Sequence, residues 1–264
     1  ALSLSGRLDH HSEYGWFFSP RVSALFRSGD WSTRLSTGTG FFGSTPLTEE
    51  TEAAGLTRLT LDGPLRVERG RSGSVDVTRS LGSVALTTTV FGSRIANPVH
   101  VDRSTYILRN LLAPTTNLGM EFLGTFRQPP FAMTASYTYV QAREWVYGVR
   151  DDVAQTPRHS FGLVGMVENE DGRLGMEVYY TGRQRLEANP YRDVGEPYVV
   201  VGVLAERRIG SLRIFVNGEN LTDVRQSRWD PILRQDRAMD GRWTVDAWAP
   251  LDGRVINGGV RIQF

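Results

Sequence analysis

The sequence contains no cysteine and no lysine. Without cysteine, the chain can form neither a disulfide framework nor a thiolate metal site. Its basic residues are therefore all arginines, and together the 30 basic and 29 acidic residues give a formal net charge of +1. No run of like charge suggests a nucleic-acid-binding tail. These features disfavour a nucleic-acid-binding protein.

Long hydrophobic runs are also missing. No stretch of about 20 apolar residues occurs, which excludes a transmembrane helix. The chain starts without Met, and residues 1–11, ALSLSGRLDHH, lack the layout of a signal peptide, so we expect a mature product or a fragment. The remaining way to span a membrane is a closed β-barrel, because only helices and edge-free sheets satisfy their backbone hydrogen bonds in lipid.

Alternation of apolar and polar residues is what the sequence has in abundance. In the segment 116–127, Leu118, Met120 and Phe122 fall on one face of a strand and Glu121 on the other. The same period of two recurs from one end of the chain to the other, and no long window shows helical periodicity. The sequence therefore predicts an all-β protein.

The alternation divides into about twelve strands with two kinds of connection. The predicted strands cover residues 2–11, 20–28, 31–41, 65–80, 83–96, 104–127, 131–142, 158–169, 172–185, 197–208, 211–223 and 254–264. Most reach the 9–11 residues needed to cross a bilayer at a tilt, whereas soluble strands centre near five or six. Tight turns such as SGD, LGS, QPP, NEDG and IG alternate with longer links around 12–19, 43–63, 143–157, 186–196 and 224–253.

This layout is typical of an antiparallel transmembrane β-barrel with its long loops outside the cell. Aromatic residues near predicted strand ends fit the girdles of such a barrel: Trp16, Trp145, Tyr180 and Phe264. A soluble sandwich or propeller is the alternative, since isolated aromatics also occur at soluble strand ends.

Several segments carry a family resemblance when they are taken in order. A Pro-Arg strand, a Gly-rich strand and an acidic loop come first, followed by NLGMEF, by an Asn-Leu-Thr-Asp sequence after a hairpin, and by a final strand ending in Phe. The residues concerned are Pro20, Arg21, Gly38, Gly40, Pro46, Glu49, Glu50, Asn220, Leu221, Thr222, Asp223 and Phe264. Over nearly the whole chain, this ordered set resembles the barrel of TonB-dependent outer-membrane receptors.

The resemblance implies a barrel of about 22 strands in the bacterial outer membrane, of which residues 1–264 would be the C-terminal half, without the plug domain and the N-terminal strands. It implies TonB-dependent uptake of a scarce ligand such as a ferric siderophore or cobalamin, with no cofactor. The implied partners are outer-membrane lipid, the TonB complex acting through the missing plug, the barrel-assembly machinery acting on Phe264, and a small-molecule chelate. In a closed barrel, the last strand would be paired on both edges.

Two groups of residues are candidate functional positions. For ligand capture in the long loops we select aromatic and charged residues that could close over a chelate: Trp145, Tyr147, Arg150, Tyr191, Arg192, Arg228, Trp229 and Trp243, with Asp230 and Trp248 beside them. The alternative is that these side chains anchor the loops to one another. For the lumen wall we select Arg34, Glu121, Arg127, Glu177, Arg183, Arg213 and Arg261, where charges either pair across strands or attract an anionic ligand.

Other functions are weaker interpretations. A complete small barrel would be a passive pore, and a soluble β protein would be a binding module. His10 and His11 are neighbours in a predicted strand and point to opposite faces, as do His159 and Ser160. They therefore give neither a shared metal site nor a His-activated serine, and no catalytic or metal-binding residue is predicted.

Overall fold

The structure is a computed structural model that describes residues 1–45, 59–102, 105–238 and 241–262. Its strands are β1 (Leu2–His11), β2 (Gly15–Ser28), β3 (Trp31–Phe42), β4 (Thr60–Leu61), β5 (Glu68–Leu81), β6 (Val84–Ala96), β7 (Val99–Asp102), β8 (Ile107–Asn110), β9 (Thr115–Gln128), β10 (Phe131–Val146), β11 (Val149–Asp152), β12 (His159–Asn169), β13 (Gly172–Thr181), β14 (Gln184–Arg185), β15 (Val194–Gly195), β16 (Tyr198–Ile209), β17 (Leu212–Glu219) and β18 (Val255–Ile262). One short 3₁₀ turn covers Gln226–Arg228. Within these described ranges, no helix has the length and apolarity to cross a membrane.

Twelve long strands form one antiparallel sheet in which each strand pairs with the next long strand along the chain. The order is β1-β2-β3-β5-β6-β9-β10-β12-β13-β16-β17-β18, and β11 adds a thirteenth strand by pairing with the far end of β10. Two small sheets, β14-β15 and β4-β8-β7, lie in the links between long strands. The predicted all-β meander of about twelve strands is confirmed.

The connections alternate in length as predicted. Two residues join β2 to β3, β5 to β6, β9 to β10, β12 to β13 and β16 to β17. These connections define the short-turn end of the sheet. Most links at the other end, the long-link end, are far longer and carry the small sheets. Short strands in a long link let its backbone N–H and C=O groups hydrogen-bond to one another.

Several predicted boundaries are wrong, among them the following three. The link expected around 12–19 is only a tight turn, because Gly15 adopts φ +81° and the His11 ring accepts the backbone N–H groups of Glu13 and Tyr14. The strand expected over 104–127 begins at Thr115, because Ile107–Asn110 pairs locally with β7 and buries Leu108 completely. The strand expected over 172–185 ends at Thr181.

The two faces of the main sheet have opposite chemistry. Leu4 is 69% exposed and Leu174 is 55% exposed, and their apolar neighbours in register form what we call the apolar face. Ser, Thr, Arg and Glu side chains occupy the other, polar face. The described residues hold few buried apolar side chains, and most of these lie in the links, including Leu108, Leu186 and Trp248. A soluble sheet protein would bury its apolar face, whereas this sheet leaves it open.

The edges of the sheet are open within the described residues. There β1 pairs only with β2 and β18 only with β17. The expected pairing of the last strand on both edges is therefore not found in this part of the chain, and neither is the closed twelve-stranded barrel that a small passive pore requires. Phe264, Pro46, Glu49 and Glu50 lie outside the described residues.

Candidate functional site

A row of polar residues crosses the middle of the polar face. Arg34 on β3 is in register with Asp76 on β5, which is in register with Thr89 on β6 and, through it, with Glu121 on β9. The Thr89 hydroxyl donates a hydrogen bond to Asp76 at 2.8 Å. Directly opposed residues share a face, so the predicted wall residues Arg34 and Glu121 lie on one polar surface.

A second charged cluster lies on the polar face near the short-turn end. Glu206 bridges two arginines, with Oε2 3.2 Å from Arg173 and Oε1 2.7 Å from Arg213. Arg213 also stands in register with Arg208 on one side and Arg261 on the other. Arginine is in excess here, because Arg208, Arg213 and Arg261 share one row, whereas Glu206 lies two residues before Arg208 on β16.

Most of the predicted wall residues share the polar face. Those placed on it by register and alternation are Arg34, Glu121, Arg127, Glu177, Arg213 and Arg261. Arg183 does not belong to the wall, because it lies exposed in the link between β13 and β14. Strand β13 ends two residues before Arg183, and the sequence pattern did not show that the strand stops there.

At the long-link end, ion pairs tie the β10–β11 hairpin to its neighbours. Asp152 on β11 pairs with Arg158 at 2.7 Å and with Arg143 at 3.1 Å. Arg185 on β14 pairs with Glu144 at 2.9 Å and donates to the Asp152 carbonyl at 2.6 Å. Burial raises the pKa of the Glu144 carboxyl, partly offset by His100 and Arg185.

The tip of this hairpin meets the small β4-β8-β7 sheet. The Tyr147 hydroxyl donates to Asp102, and the Arg109 guanidinium lies over the Tyr147 ring at 4.5 Å. Trp145 is directly opposite Arg150 across the hairpin. Arg150 is exposed and has no hydrogen-bond or ion-pair partner in the described part of the chain, so its charge is available to a ligand.

A second group of predicted residues surrounds Arg192. Its guanidinium pairs with Asp230 at 2.8 Å and Glu196 at 3.1 Å and lies over the Trp248 ring at 5.7 Å. Trp248 in turn contacts Trp229, with ring centroids 5.3 Å apart. Trp248 is only 4% exposed, so this group acts as a packed core for the long links.

Gln226 holds the same core together and was not predicted. Its side chain is fully buried. Its Oε1 accepts the N–H groups of Trp248 at 2.8 Å and Ala249 at 3.3 Å, and its Nε2 donates to the Asp246 carbonyl at 2.9 Å. Only a tertiary contact distinguishes this glutamine from any polar loop residue, so no pattern in the sequence could have identified it.

The predicted loop residues thus form two groups. Trp145, Tyr147 and Arg150 lie on the β10–β11 hairpin, while Tyr191, Arg192, Arg228, Trp229 and Trp243 lie in the β13–β16 and β17–β18 links. Arg185 and Leu186 connect the groups, because Arg185 holds the hairpin and Leu186 packs with Trp248. Several of these aromatics anchor the links to each other, as the alternative interpretation proposed.

The described residues offer no cluster of three or more His, Cys, Asp or Glu side chains for a metal ion. The His159 ring hydrogen-bonds the Tyr137 hydroxyl at 2.8 Å and contacts the Tyr139 ring, while the neighbouring Ser160 is in register with Thr138 on the polar face. The arrangement provides charged and aromatic surfaces for binding.

Comparison with known families gives one match that spans most of the chain. The family model described as "TonB dependent receptor-like, beta-barrel" matches residues 1–221. No curated protein sequence matches the chain.

Solved structures of similar fold include three bacterial receptors. The siderophore receptor PirA from Acinetobacter baumannii has a TM-score of 0.72 at 12% identity, over 100% of this chain and 43% of its own. The ferripyoverdine receptor of Pseudomonas aeruginosa has a TM-score of 0.68 at 15% identity, over 95% and 33%. The ferric-catecholate import receptor Fiu from E. coli K12 has a TM-score of 0.66 at 14% identity, over 95% and 35%. The chain thus spans less than half the length of each of these structures.

Proposed function

This chain belongs to the TonB-dependent receptor-like β-barrel family, and on that premise we propose that it forms part of the barrel wall of an outer-membrane receptor for a ferric siderophore. The family's members are outer-membrane transport receptors. In the proposal, the apolar face contacts lipid, the polar face lines the lumen, and the long-link end faces outward to capture the ligand. Energy delivered through TonB opens the lumen.

The observation that carries the proposal is the inverted distribution of polarity over a twelve-stranded meander. Apolar side chains such as Leu4 and Leu174 are exposed on one face, while charged rows occupy the other. Exposing such an apolar face to lipid is favourable, whereas exposing it to water costs free energy. A soluble binding module gives no reason for an apolar face as exposed as this one.

Within the long links, some predicted residues are packed and hold the links together, whereas others are exposed and can contact a ligand. Arg192 and Trp229 are engaged with the core around Trp248 and hold the links in place. Arg150 is exposed and unpaired among the described residues, and Trp145 and Trp243 are 41% and 50% exposed. We assign ligand contact to these three residues. Arg150 stands opposite Trp145, and the Arg237 guanidinium lies over the Trp243 ring at 4.7 Å, and a guanidinium beside an aromatic ring suits an anionic chelate.

The test is uptake of radiolabelled iron by a Gram-negative strain that lacks its own ferric-siderophore receptors. The protein is expressed from its natural open reading frame, and catecholate and hydroxamate siderophores are supplied separately. We expect saturable uptake of at least one siderophore class that disappears when TonB is deleted. Arg150→Ala is expected to raise the apparent KM about 10-fold, because one charge-assisted contact is lost.

Arg207→Ala serves as the matched control, because Arg207 is an exposed arginine near the short-turn end of the sheet. It should leave the KM unchanged. Uptake that persists without TonB would point to a passive pore, and a complete lack of siderophore-dependent uptake would reject the proposed function.

A further inference from the structure

Two arginines face each other on the apolar face without a counter-charge. Arg71 on β5 and Arg94 on β6 are in direct register, in the same alternation as the exposed Val75 and Val90. Both arginines are exposed, and neither has a hydrogen-bond or ion-pair partner in the part of the chain that the structure describes. Like charges directly opposite one another destabilise a sheet, so an anion from outside the chain is expected between them.

The neighbours of this pair leave room for such an anion. Thr39 is in register with Arg71, and Thr116 is in register with Arg94. The row therefore reads Thr39, Arg71, Arg94, Thr116 across four strands, with a hydroxyl on either side of the two guanidinium groups. None of these four residues is acidic, and the next residue of the row, Arg143 on β10, is already paired with Asp152 at 3.1 Å.

An apolar groove leads from the arginine pair toward the short-turn end. The next row holds Gly73 and Gly92, which are in direct register and carry no side chain. Beyond them, the groove of about 550 Å³ is lined by apolar side chains, among them Val22, Leu35, Val75, Val90 and Leu118. The two glycines make the groove continuous with the charged row.

The arginines stand at the height of a bilayer surface. Arg71 precedes the last residue of β5, Leu81, by ten residues. That is about 34 Å of strand, and a tilt of about 45° reduces it to about 24 Å of height, close to the apolar band of about 25 Å in outer-membrane barrels. The groove then lies at acyl-chain depth, and the guanidinium groups lie where headgroup phosphates lie.

We propose that this feature, the Arg71–Arg94 site, binds one phosphorylated lipid of the leaflet on the long-link side. The phosphate sits between the two guanidinium groups, and an acyl chain fills the groove beneath Gly73 and Gly92. Arginine favours phosphate because its fork of N–H donors binds two oxygens at once. The inference rests on the membrane-spanning barrel of the proposed function but concerns a surface that the uptake route does not use.

The test is native mass spectrometry of the protein, expressed from its natural open reading frame and purified in a neutral detergent. The probes are dioleoyl phosphatidic acid, dioleoylglycerol with the same chains but no phosphate, and inorganic phosphate. We expect one phosphatidic acid to remain bound, with at least 10-fold weaker retention of the other two. Arg71→Gln with Arg94→Gln is expected to weaken phosphatidic acid binding at least 10-fold.

Filling the groove tests the acyl chain separately. A Cβ atom at Gly73 or Gly92 would meet its nearest neighbours at 3.5 Å and 3.6 Å, which is ordinary contact, so Gly73→Val with Gly92→Val should fold and still lose the lipid. Arg79→Gln is the matched control, because Arg79 lies on the same face of β5 at the short-turn end and stacks on Trp31. It should bind phosphatidic acid as the parent does.

Three results would overturn the lipid site: equal retention of inorganic phosphate, unchanged binding in the double Gln variant, or a change of oligomeric state in that variant that accounts for the loss. Siderophore uptake is a separate measurement. Lipid binding without uptake would reject the proposed function alone, and uptake without lipid binding would reject this site alone.

Discussion

At the scale of single residues, the side chain of Gln226 shows how the long links are held. It satisfies two backbone N–H groups and one carbonyl in the core around Trp248, and it is shielded completely from solvent. Buried backbone groups that lose their partners cannot turn to water. One amide side chain therefore fixes the path of residues 246–249, on which Arg192 and Trp229 depend.

Gln226→Ala is expected to loosen these links without unfolding the sheet. Each buried N–H left without an acceptor costs about 1–3 kcal/mol. We expect the amide hydrogens of Trp248 and Ala249 to exchange with solvent at least 10-fold faster, as measured by hydrogen exchange with mass spectrometry.

Gln226→Glu is the matched comparison, because it keeps an oxygen to accept the Trp248 and Ala249 N–H groups but replaces the donor to the Asp246 carbonyl with a second carboxyl oxygen. Its exchange should be intermediate. Unchanged protection in Gln226→Ala would show that the links are held by the aromatic packing alone.

At the scale of elements, the long link from β17 to β18 is closed at its base by Asp223. Its Oδ1 accepts the Arg254 backbone N–H at 3.0 Å, and its Oδ2 pairs with Arg225 and Arg228. The Arg254 hydrogen bond lowers the pKa of Asp223, and the arginine charges lower it further. The start and the end of the link are thus tied by one carboxylate.

The sign of the resulting pH dependence follows from the lowered pKa. Ionised Asp223 stabilises the closed base at every pH above the ordinary aspartate pKa of about 3.9, and this contribution is lost as the pH falls through the lowered value. We expect Asp223→Asn to flatten the acid dependence of the fluorescence of Trp229 and Trp248 between about pH 4 and pH 2.

Asp252→Asn provides the control in the same link. Its side chain makes none of the contacts that close the base, so it should keep the acid transition of the parent. An identical transition in Asp223→Asn and in the parent would place the acid sensitivity elsewhere.

At the scale of the whole molecule, the same substitution is expected to have different effects on stability on the two faces of the sheet. Val75 and Ser74 are neighbours on β5, and both lie about midway between the arginine pair and the short turn. Val75 stands on the apolar face, opposite Leu35 and Val90, whereas Ser74 stands on the polar face opposite Ser36. In a membrane barrel, the same new charge therefore meets lipid at one position and the aqueous lumen at the other.

Val75→Arg is expected to destabilise the folded barrel by about 2–4 kcal/mol, the cost of an arginine at the bilayer midplane. Ser74→Arg should cost less than about 1 kcal/mol, since its guanidinium reaches water. Urea unfolding in lipid vesicles, followed by heat-modifiable migration on a gel, measures both. Equal costs at the two positions would contradict the assignment of the apolar face to lipid.

The sequence alone determined the class of fold and most of its layout. A period of two fixes which residues share a face, since successive side chains of a strand alternate, so the long antiparallel strands and the positions of residues such as Arg34 and Glu121 on the polar face were predictable. The tight turns were visible because Gly tolerates the positive φ angles that such turns require and Pro fixes its own φ. The family resemblance, carried by the order of these segments, is confirmed by the family model over residues 1–221.

The tertiary structure decided what local patterns cannot encode. The alternation in 107–110 looks like the start of a long strand, yet those residues pair with β7, because pairing depends on partners distant in the chain. Likewise, only the fold buries Gln226, and only the fold leaves Arg150 exposed while it packs Arg192 into a core. It also brings Arg71 opposite Arg94, next to a groove that two glycines leave open. Sequence determines which face each residue takes, whereas register and packing decide which residues meet there.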